Sequence, residues 1–332
     1  MKRIKWILLS FFMIAFLCAA SLMGNFFVKS ENTSKGKKKT VITEEERKEW
    51  IAPDKDMLEY YGLGEFSTTL PVVYMNTKGQ QVLKENTIWG NIALLEADGE
   101  EKSIFSVPNS LHRATIKYRG ASSYLKFEKK QYRIKFYKNK KDSSKKVSLA
   151  GMGANSEWVL NGPYLDKTLI RNKLMYDLSR ELNGWAPDSR FVELFVDGKY
   201  QGVYLAVEPV TNGESRLRLA EFGLLSGETA YIANRDRVDT GSEELETYGK
   251  TAGYTNNAMY LEYPSSKKVT EKQKEYIEND ISQFEKVLYG ENFQDKWSGY
   301  QKYIDVDNWI DYFIINEFAM NYDAGNLSTY VY

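Results

Sequence analysis

The sequence predicts an α+β fold in which a sheet-rich part precedes a helix-rich part. Short segments of alternating polarity, separated by turn-forming residues, dominate up to about residue 210. Two of the three clear helical patterns come after that point. No segment repeats along the chain, so a solenoid or a propeller is not expected.

Four strands are predicted in the first part, and each lies between polar or small turn residues. They are residues 66–74, 88–95, 114–118 and 131–137. In the last of them, Tyr132, Ile134 and Phe136 share one face. Arg133 and Lys135 share the opposite face, so this strand is expected to bury one side and to present cations on the other.

The first helix is predicted after these strands. Asp166 is a suitable N-cap, because a carboxylate there accepts hydrogen bonds from the first turn. Leu174, Leu178 and Leu182 recur every four residues, as one buried stripe of a helix would. Gly184 ends the pattern.

A β-hairpin is predicted next, because Asp197-Gly198 suits the type I′ turn that joins two short strands. The two strands are residues 191–196 and 200–205. Residues 207–210 then lead out of the sheet.

The second part is less regular. Residues 213–253 carry many charges and predict no clear element, whereas residues 259–263 fit a strand. The clearest helix is at residues 270–290, where Thr270 and Gln273 form a capping box. Its expected core stripe is Ile277, Ile281, Phe284 and Leu288.

The N-terminal residues predict export. Three cations within the first five residues precede an apolar run that is long enough to span a bilayer. We expect residues 1–28 to be a membrane anchor or a cleaved signal peptide, and the protein to be membrane-anchored or secreted. Residues 29–64 read as a polar linker. One domain, residues 65–332, follows, with its two parts at about 65–210 and 211–332.

Composition restricts the chemistry. The 45 basic and 45 acidic residues balance, so no nucleic-acid partner is expected. Cys18 is the single cysteine and lies in the N-terminal apolar run, which excludes disulfides and cysteine metal sites in the body. His112 is the single histidine, which excludes multi-histidine metal sites. Aromatic residues make up 14% of the chain, which hints at an exported or carbohydrate-rich setting.

The last helix, capped by Asp305 or Asp307, leads into a stretch with an acid and an amide, Asp323 and Asn326. A phosphoryl-transfer site needs a carboxylate for the acceptor hydroxyl and oxygen ligands for magnesium. This pair fits both needs. The simpler interpretation is a helix C-terminus followed by an Asx turn.

Cations in the first part fit phosphate binding. Arg133 and Lys135 share one strand face, and Arg119 precedes a turn of small residues that includes Ser122. The alternative is an ordinary solvated edge strand, because further lysines follow it.

Two further residues fit a nucleotide site. Glu208 follows the hairpin, where a hinge between two lobes would meet an adenine edge, although an ordinary surface glutamate fits as well. Arg171 lies in the first turn of a helix, where acids are favoured, so a partner is expected for it. That partner is a phosphate, a group of the other lobe or the acid of a plain buried ion pair.

Several segments together resemble the spore-coat CotH kinase family. The matching pieces are, in order, residues 119–123 with 129–136, 158–172, 187–208 and 321–326. They span residues 66–332 without a break in order, with Ala121 as a small departure where the family often has Asn.

This resemblance implies an atypical protein-kinase-like two-lobed fold, with a sheet-rich N-lobe and a helix-rich, incomplete C-lobe. It implies transfer of phosphate from ATP, with Mg²⁺, to Ser or Thr of protein substrates. Asp323 is similar to the catalytic-loop acid and Asn326 to the amide that contacts the metal. Lys135 or Arg133 resembles the phosphate-gripping cation, and Glu208 corresponds to the hinge.

The family also has a second metal-binding acid after the strand that follows the catalytic loop, which here would fall beyond Tyr332. We therefore expect a C-terminally truncated kinase domain that is inactive as it stands. An exported domain also meets little ATP. Two other functions stay open: a non-catalytic scaffold for envelope or spore-coat assembly, and an exported surface-binding module.

Overall fold

The computed structural model describes residues 42–138, 143–220, 222, 227–236, 243–255 and 259–332. They form a mixed α+β fold, as the sequence predicts. The predicted anchor or signal peptide at residues 1–28 lies outside the described residues. Among the helices that are described, none has the length and apolar character needed to cross a bilayer.

The described residues contain thirteen strands, seven α-helices and one 3₁₀ turn. The strands are β1 (Ser67–Thr68), β2 (Val72–Asn76), β3 (Ile88–Leu95), β4 (Lys102–Ser103), β5 (Ser110–Arg119), β6 (Gln131–Tyr137), β7 (Glu157–Asn161), β8 (Ser189–Val196), β9 (Lys199–Val207), β10 (Ile232–Arg235), β11 (Glu243–Leu245), β12 (Met259–Tyr263) and β13 (Thr329–Val331). The α-helices are α1 (Glu44–Arg47), α2 (Lys55–Tyr60), α3 (Ser122–Lys126), α4 (Arg171–Asn183), α5 (Tyr248–Thr251), α6 (Glu271–Leu288) and α7 (Val306–Phe318). A 3₁₀ turn occupies Tyr300–Lys302.

Seven strands close into a barrel in the order β2-β3-β5-β6-β7-β9-β8. Neighbours are antiparallel except β2 and β8, whose parallel pairing completes the barrel. The interior is filled by large apolar side chains, as expected for a small barrel. Its buried members include Ile116, Ile134, Phe136, Trp158, Leu194 and Tyr204.

Strand β6 shows how the sequence sets this arrangement. Tyr132, Ile134 and Phe136 are buried in the barrel, whereas Arg133 and Lys135 point to its outer surface. The predicted alternation is confirmed, because successive side chains of a strand project to opposite faces.

The β8–β9 hairpin turns at Asp197-Gly198, with positive φ angles of 49° and 80°. This is the geometry that a type I′ turn requires. A Cβ on Gly198 would lie 2.9 Å from the carbonyl oxygen of Ala52, so glycine is needed there for space as well as for conformation.

Residues 42–64, which were predicted as part of a polar linker, fold onto the barrel. Leu58 of α2 is buried against Tyr74 and Phe195, and the Trp50 ring meets Tyr74 edge-on at 5.6 Å. The Asp54 N–H donates to the Gly198 carbonyl at 2.9 Å. The ordered body of the protein therefore begins before residue 65.

The part after residue 210 contains a second sheet, which the sequence analysis did not predict. Its four antiparallel strands have the order β11-β12-β10-β13. One face packs on α6, where Ile277 and Ile281 meet Ala233, Leu245 and Leu261. The predicted Thr270–Gln273 capping box is present at the start of α6. Leu288, expected in the core stripe, is exposed at the helix end.

Helix α4 begins at Arg171, later than predicted. Asp166 accepts hydrogen bonds from the N–H groups of Thr168 (3.1 Å) and Arg171 (2.9 Å), so it organises the turn before the helix. The predicted buried stripe is also wrong, because Leu174 and Leu182 are about half exposed. A different face, through Tyr176, packs on the outer surface of β7, β8 and β9.

Helix α7 is capped by Asp305, whose carboxylate accepts from the Asn308 N–H at 3.2 Å. The helix lies beside α4, where Asn308 Nδ2 donates to the Asn183 carbonyl at 3.4 Å. It ends at Phe318 and leads into the turn that carries Asp323 and Asn326.

His112 predicts an acid-dependent loss of stability. Burial, helped by the Lys145 ammonium 3.1 Å from Nδ1 and opposed by Glu46, lowers the pKa of His112 to about 4. The unfolded chain, with a histidine pKa near 6.5, thus binds more protons than the folded one between about pH 6.5 and 4. The unfolding free energy should therefore fall by about 3 kcal/mol across this window as the pH is lowered.

The measurement is urea unfolding of the wild type and of His112→Phe at pH 7 and pH 4. Phenylalanine keeps a ring against Phe136 but cannot take up a proton. Other groups titrate equally in both proteins, so the difference between them isolates His112. Equal losses of stability in the two proteins would contradict the prediction.

Candidate functional site

The predicted catalytic pair lies in an exposed turn between α7 and β13. Asp323 and Asn326 are both exposed, and the Asn326 N–H donates to the Asp323 backbone carbonyl at 3.1 Å. One turn therefore presents both side chains to solvent on the same short segment. An Asx turn would need the Asp323 carboxylate to accept a backbone N–H, and no hydrogen bond within the described residues uses that carboxylate. The backbone turn itself fits the catalytic interpretation, because a local turn presents the carboxylate to solvent.

Side chains from neighbouring elements fix this turn. The Gly325 N–H donates to the Tyr312 hydroxyl (3.0 Å) and to Thr329 Oγ1 (2.9 Å). Ser328 Oγ donates to Asp236 Oδ2 at 2.8 Å, which ties the end of the turn to the residue after β10. The position of Asp323 is thus set by α7, β10 and β13 together.

The outer face of β5 and β6 carries the predicted cations. Arg133 forms an ion pair with Glu157 on β7, in which Nε and Nη2 both lie 2.7 Å from the same oxygen, Oε1. Lys135, directly opposite Glu157 in the strand register, has no ion-pair partner in the part of the chain that is described. Arg119 lies exposed at the end of β5.

The second sheet presents a polar face of its own, on the side opposite α6. Because Ala233, Leu261 and Val331 face α6, the alternating residues face the other way. These are Asn234, Tyr260, Glu262 and Tyr330, and Asn234 pairs in register with both Tyr260 and Tyr330.

The polar face of the sheet and the cationic face of the barrel are electrostatically coupled. The pKa of Arg133 is raised overall. Burial alone would lower it, but the attraction of Glu157, and to a smaller extent the influence of Glu262 and Tyr330, outweighs that effect. Burial and Glu262 raise the pKa of Tyr330 to about 12, and Arg119 opposes them. Arg119 also acts on Tyr176 of α4. We give the name interlayer cleft to the residues of the two faces and of α4 that are linked in this way, together with Asn234: Arg119, Arg133, Tyr176, Asn234, Glu262 and Tyr330.

Two other predicted site residues lie elsewhere or have local partners. Arg171 pairs with Asp166, with Nε 3.6 Å from Oδ1, and its side chain is largely exposed. Arg171 therefore has an ion-pair acid, but the pair is not the buried one that the sequence left open as an alternative. Ser122 is exposed in the first turn of α3, just after Gly120.

Glu208 is buried and does not face the interlayer cleft with Arg133. Its carboxylate accepts from the Asp188 N–H at 3.0 Å and forms an ion pair with Arg216. Arg216 lies over the Trp158 ring, 4.4 Å from its centroid, and its side chain is 0% exposed. Burial raises the pKa of Glu208 and lowers that of Arg216, and their mutual attraction opposes both shifts. This pair attaches residues 208–216, which follow β9, to the barrel.

The residues around the turn fit a divalent cation only in part. Among the described residues, no group of three or more His, Cys, Asp or Glu side chains is arranged to hold a metal. Asp323 and Asn326 offer one carboxylate and one amide on the same turn. Mg²⁺ commonly takes one or two carboxylates and completes its shell with water and phosphate oxygens. The pair therefore suits Mg²⁺ that arrives with a nucleotide.

Four residues at this site were missed by the sequence analysis: Asp236, Asn234, Glu262 and Tyr330. They lie on β10, β12 and β13 or directly after β10, far apart in sequence, and no short motif links them. Only the register of β10 with β12 and β13 brings them together. The alternation of polar and apolar residues in Met259–Tyr263 is the single sequence signal that could have marked Glu262 as lying opposite the core face.

Comparison with known proteins identifies the family. A family model described as CotH kinase protein matches residues 116–332, which is more than half of the chain and includes every residue of the interlayer cleft. The inner spore coat protein H of Bacillus subtilis (strain 168) is 32% identical over 210 residues, or 63% of this chain and 51% of that protein. The chain thus spans about half the length of this relative. The resemblance predicted from the motifs is confirmed, and the chain belongs to the CotH family.

Proposed function

We propose that the protein is a CotH-type protein kinase that transfers phosphate from ATP to Ser or Thr of spore-coat or envelope proteins. The observation that carries the proposal is the exposed Asp323–Asn326 turn, which directly precedes the last strand of a sheet whose polar residues act electrostatically on Arg133 of the barrel. Cations on one wall and an exposed carboxylate at the end of the other are what phosphoryl transfer needs.

In this proposal the barrel acts as the first lobe of a two-lobed kinase-like fold, and the second sheet with α6 and α7 belongs to the second lobe. Arg119, Arg133 and Lys135 would hold phosphate oxygens. Asp323 would accept the proton of the substrate hydroxyl, and Asn326 would supply an oxygen ligand to Mg²⁺. The Mg²⁺ ion, when bound, would neutralise charge on the transferred phosphoryl group.

The proposed place of action is the spore coat or cell envelope. It is supported by the relative, an inner spore coat protein, and by the export signal predicted at residues 1–28. The proposed substrates are accordingly coat or envelope proteins with Ser or Thr acceptors. Attachment to a membrane would run through the N-terminal segment.

The proposal is tested by nucleotide binding. A ligand at 100 times its Kd stabilises a folded protein by about 2.7 kcal/mol, so ATP with Mg²⁺ should raise the Tm by several degrees in differential scanning fluorimetry. Arg133→Gln should weaken this shift, because a phosphate contact is lost. Arg190→Gln is the matched control. Arg190 lies on β8 and is paired with Asp188, and its side chain is 45% exposed, against 47% for Arg133.

A wild-type Tm that ATP and Mg²⁺ leave unchanged would contradict the kinase proposal. It would favour the second candidate, a non-catalytic scaffold for coat assembly. One observation supports that candidate: Arg133 is already neutralised by Glu157 within the barrel face, as a purely structural arginine would be.

A further inference from the structure

Asn234 stands out among the residues of the interlayer cleft. It lies in the middle of β10 and is only 6% exposed. Its Nδ2 is 3.4 Å from Glu262 Oε1, and its Oδ1 is buried without a hydrogen-bond partner among the described residues. A buried carbonyl oxygen left without a donor is unfavourable, so such atoms commonly mark a functional position.

The orientation of this amide follows from its neighbour. A carboxylate only accepts hydrogen bonds, so the NH₂ group of Asn234 must be the one that faces Glu262. The Oδ1 atom is therefore turned away from Glu262, on the sheet face opposite α6. Glu262 and Tyr330 on that face act electrostatically on Arg133 of the barrel. The cleft thus holds an acceptor that needs a donor.

The surroundings of Asn234 specify what kind of donor fits. Tyr260 and Tyr330 flank it in register on the two neighbouring strands, which suits a flat ring. Arg119 and Arg133 lie on the barrel side, within electrostatic reach of Tyr330 and Glu262, which suits an anionic group attached to that ring. A flat ring with an amino donor and an anionic tail describes an aminopurine nucleotide.

We propose that Asn234 is the residue that selects the base: its Oδ1 accepts a hydrogen bond from the exocyclic amino group of adenine. The inference rests on the proposed function, since it concerns the same nucleotide site. It assigns base recognition to Asn234 and not to the hinge at Glu208, whose carboxylate is already bonded to Asp188 and Arg216. Inosine nucleotides carry an oxo group in place of the amino group and would set an acceptor against Asn234 Oδ1.

The experiment compares the affinities of ATP and ITP, each with Mg²⁺, by isothermal titration calorimetry on the full chain. The wild type should bind ATP at least about tenfold more tightly than ITP, because ITP leaves the buried acceptor unpaired. Asn234→Leu should weaken ATP binding by a similar factor, leave ITP binding nearly unchanged and bring the ratio close to one. Asn234→Thr, which suits a strand, serves if the leucine variant fails to fold.

Asn91→Leu is the matched control. Asn91 is a similarly buried asparagine, at 7% exposure, but it lies on β3 and bonds to Glu49. It should keep the wild-type ratio. A wild type that binds both nucleotides equally, or Asn234 variants that keep the preference for ATP, would overturn the inference and leave the proposed function standing. A wild type that binds neither nucleotide would overturn both.

Discussion

Replacement of Asp323 by Asn is expected to reduce phosphate transfer to Ser and Thr acceptors by about 10² to 10⁴, the usual contribution of a positioned general base. The physical reason is that the amide keeps the shape of the side chain but cannot take the proton of the acceptor hydroxyl. Radiolabel transfer from ATP to a coat or envelope protein is the measurement.

The same variant should keep its stability and its ATP affinity. The Asp323 side chain is exposed, and none of the hydrogen bonds within the described residues uses its carboxylate, since the turn is held by Gly325, Tyr312 and Ser328. Substitutions at such surface positions usually change stability by less than about 0.5 kcal/mol.

Asp307→Asn, in the first turn of α7, is the control, because it removes an exposed carboxylate from the adjoining helix without touching the turn. It should transfer phosphate as the wild type does. Transfer by Asp323→Asn at the wild-type rate would remove Asp323 from the mechanism. A loss of activity accompanied by a large fall in Tm would instead mean that Asp323 supports the fold.

Removal of Glu208 should produce the largest loss of stability. Glu208→Leu leaves the Arg216 guanidinium buried without its partner carboxylate, and breaking a buried pair in this way costs about 3 to 5 kcal/mol. The Arg216 Nε and Nη2 atoms already lack hydrogen-bond partners among the described residues, and Nη1 would keep the uncharged backbone carbonyls of Gly153 (3.3 Å) and Ser215 (3.1 Å). Guanidinium chloride unfolding followed by tryptophan fluorescence is suitable, because Trp158 lies against Arg216.

The double variant Glu208→Leu with Arg216→Met should recover most of the loss, since replacing both partners removes the unpaired charge. Glu157→Leu is the matched single control. It removes the acid of a more exposed pair, that with Arg133, and should cost no more than about 1 kcal/mol. Equal effects of Glu208→Leu and Glu157→Leu would show that burial does not decide the energetics of these pairs.

Much of the barrel could be predicted from sequence, because its signals are local. Strands β3 and β6 coincide with the predicted residues 88–95 and 131–137, since alternation in a half-buried strand is visible in a single segment. The Asp197-Gly198 turn and the capping box of α6 are likewise local hydrogen-bond and backbone preferences.

The second sheet escaped prediction because its information is not local. Strands β10, β11 and β13 have three or four residues each, which is too short for a periodic pattern. Their pairing joins β10 to a strand almost a hundred residues further along the chain. The leucine stripe of α4 misled for a related reason: periodicity shows that a helix has an apolar side, but α4 packs through Tyr176 instead.

The candidate site shows the same division. Asp323 and Asn326 could be found from the sequence, because they lie three residues apart, and the family resemblance then favoured the catalytic interpretation over a plain turn. Glu262 and Tyr330 belong to the cleft only through strand register, which no motif encodes. Glu208 looked like an exposed residue before a proline, and only the course of the chain to Arg216 reveals that it is buried.

The parallel pairing of β2 with β8 has a consequence for biosynthesis. The barrel cannot close until the ribosome has synthesised Glu193, the partner of Val72 about 120 positions later in the chain. Until then β2 exposes an unpaired backbone edge while β3, β5 and β6 can already pair in succession. Such long-range closure slows folding and leaves a nascent chain open to misassociation. We expect the half-made barrel to be the species that most needs a chaperone as the chain emerges from the ribosome.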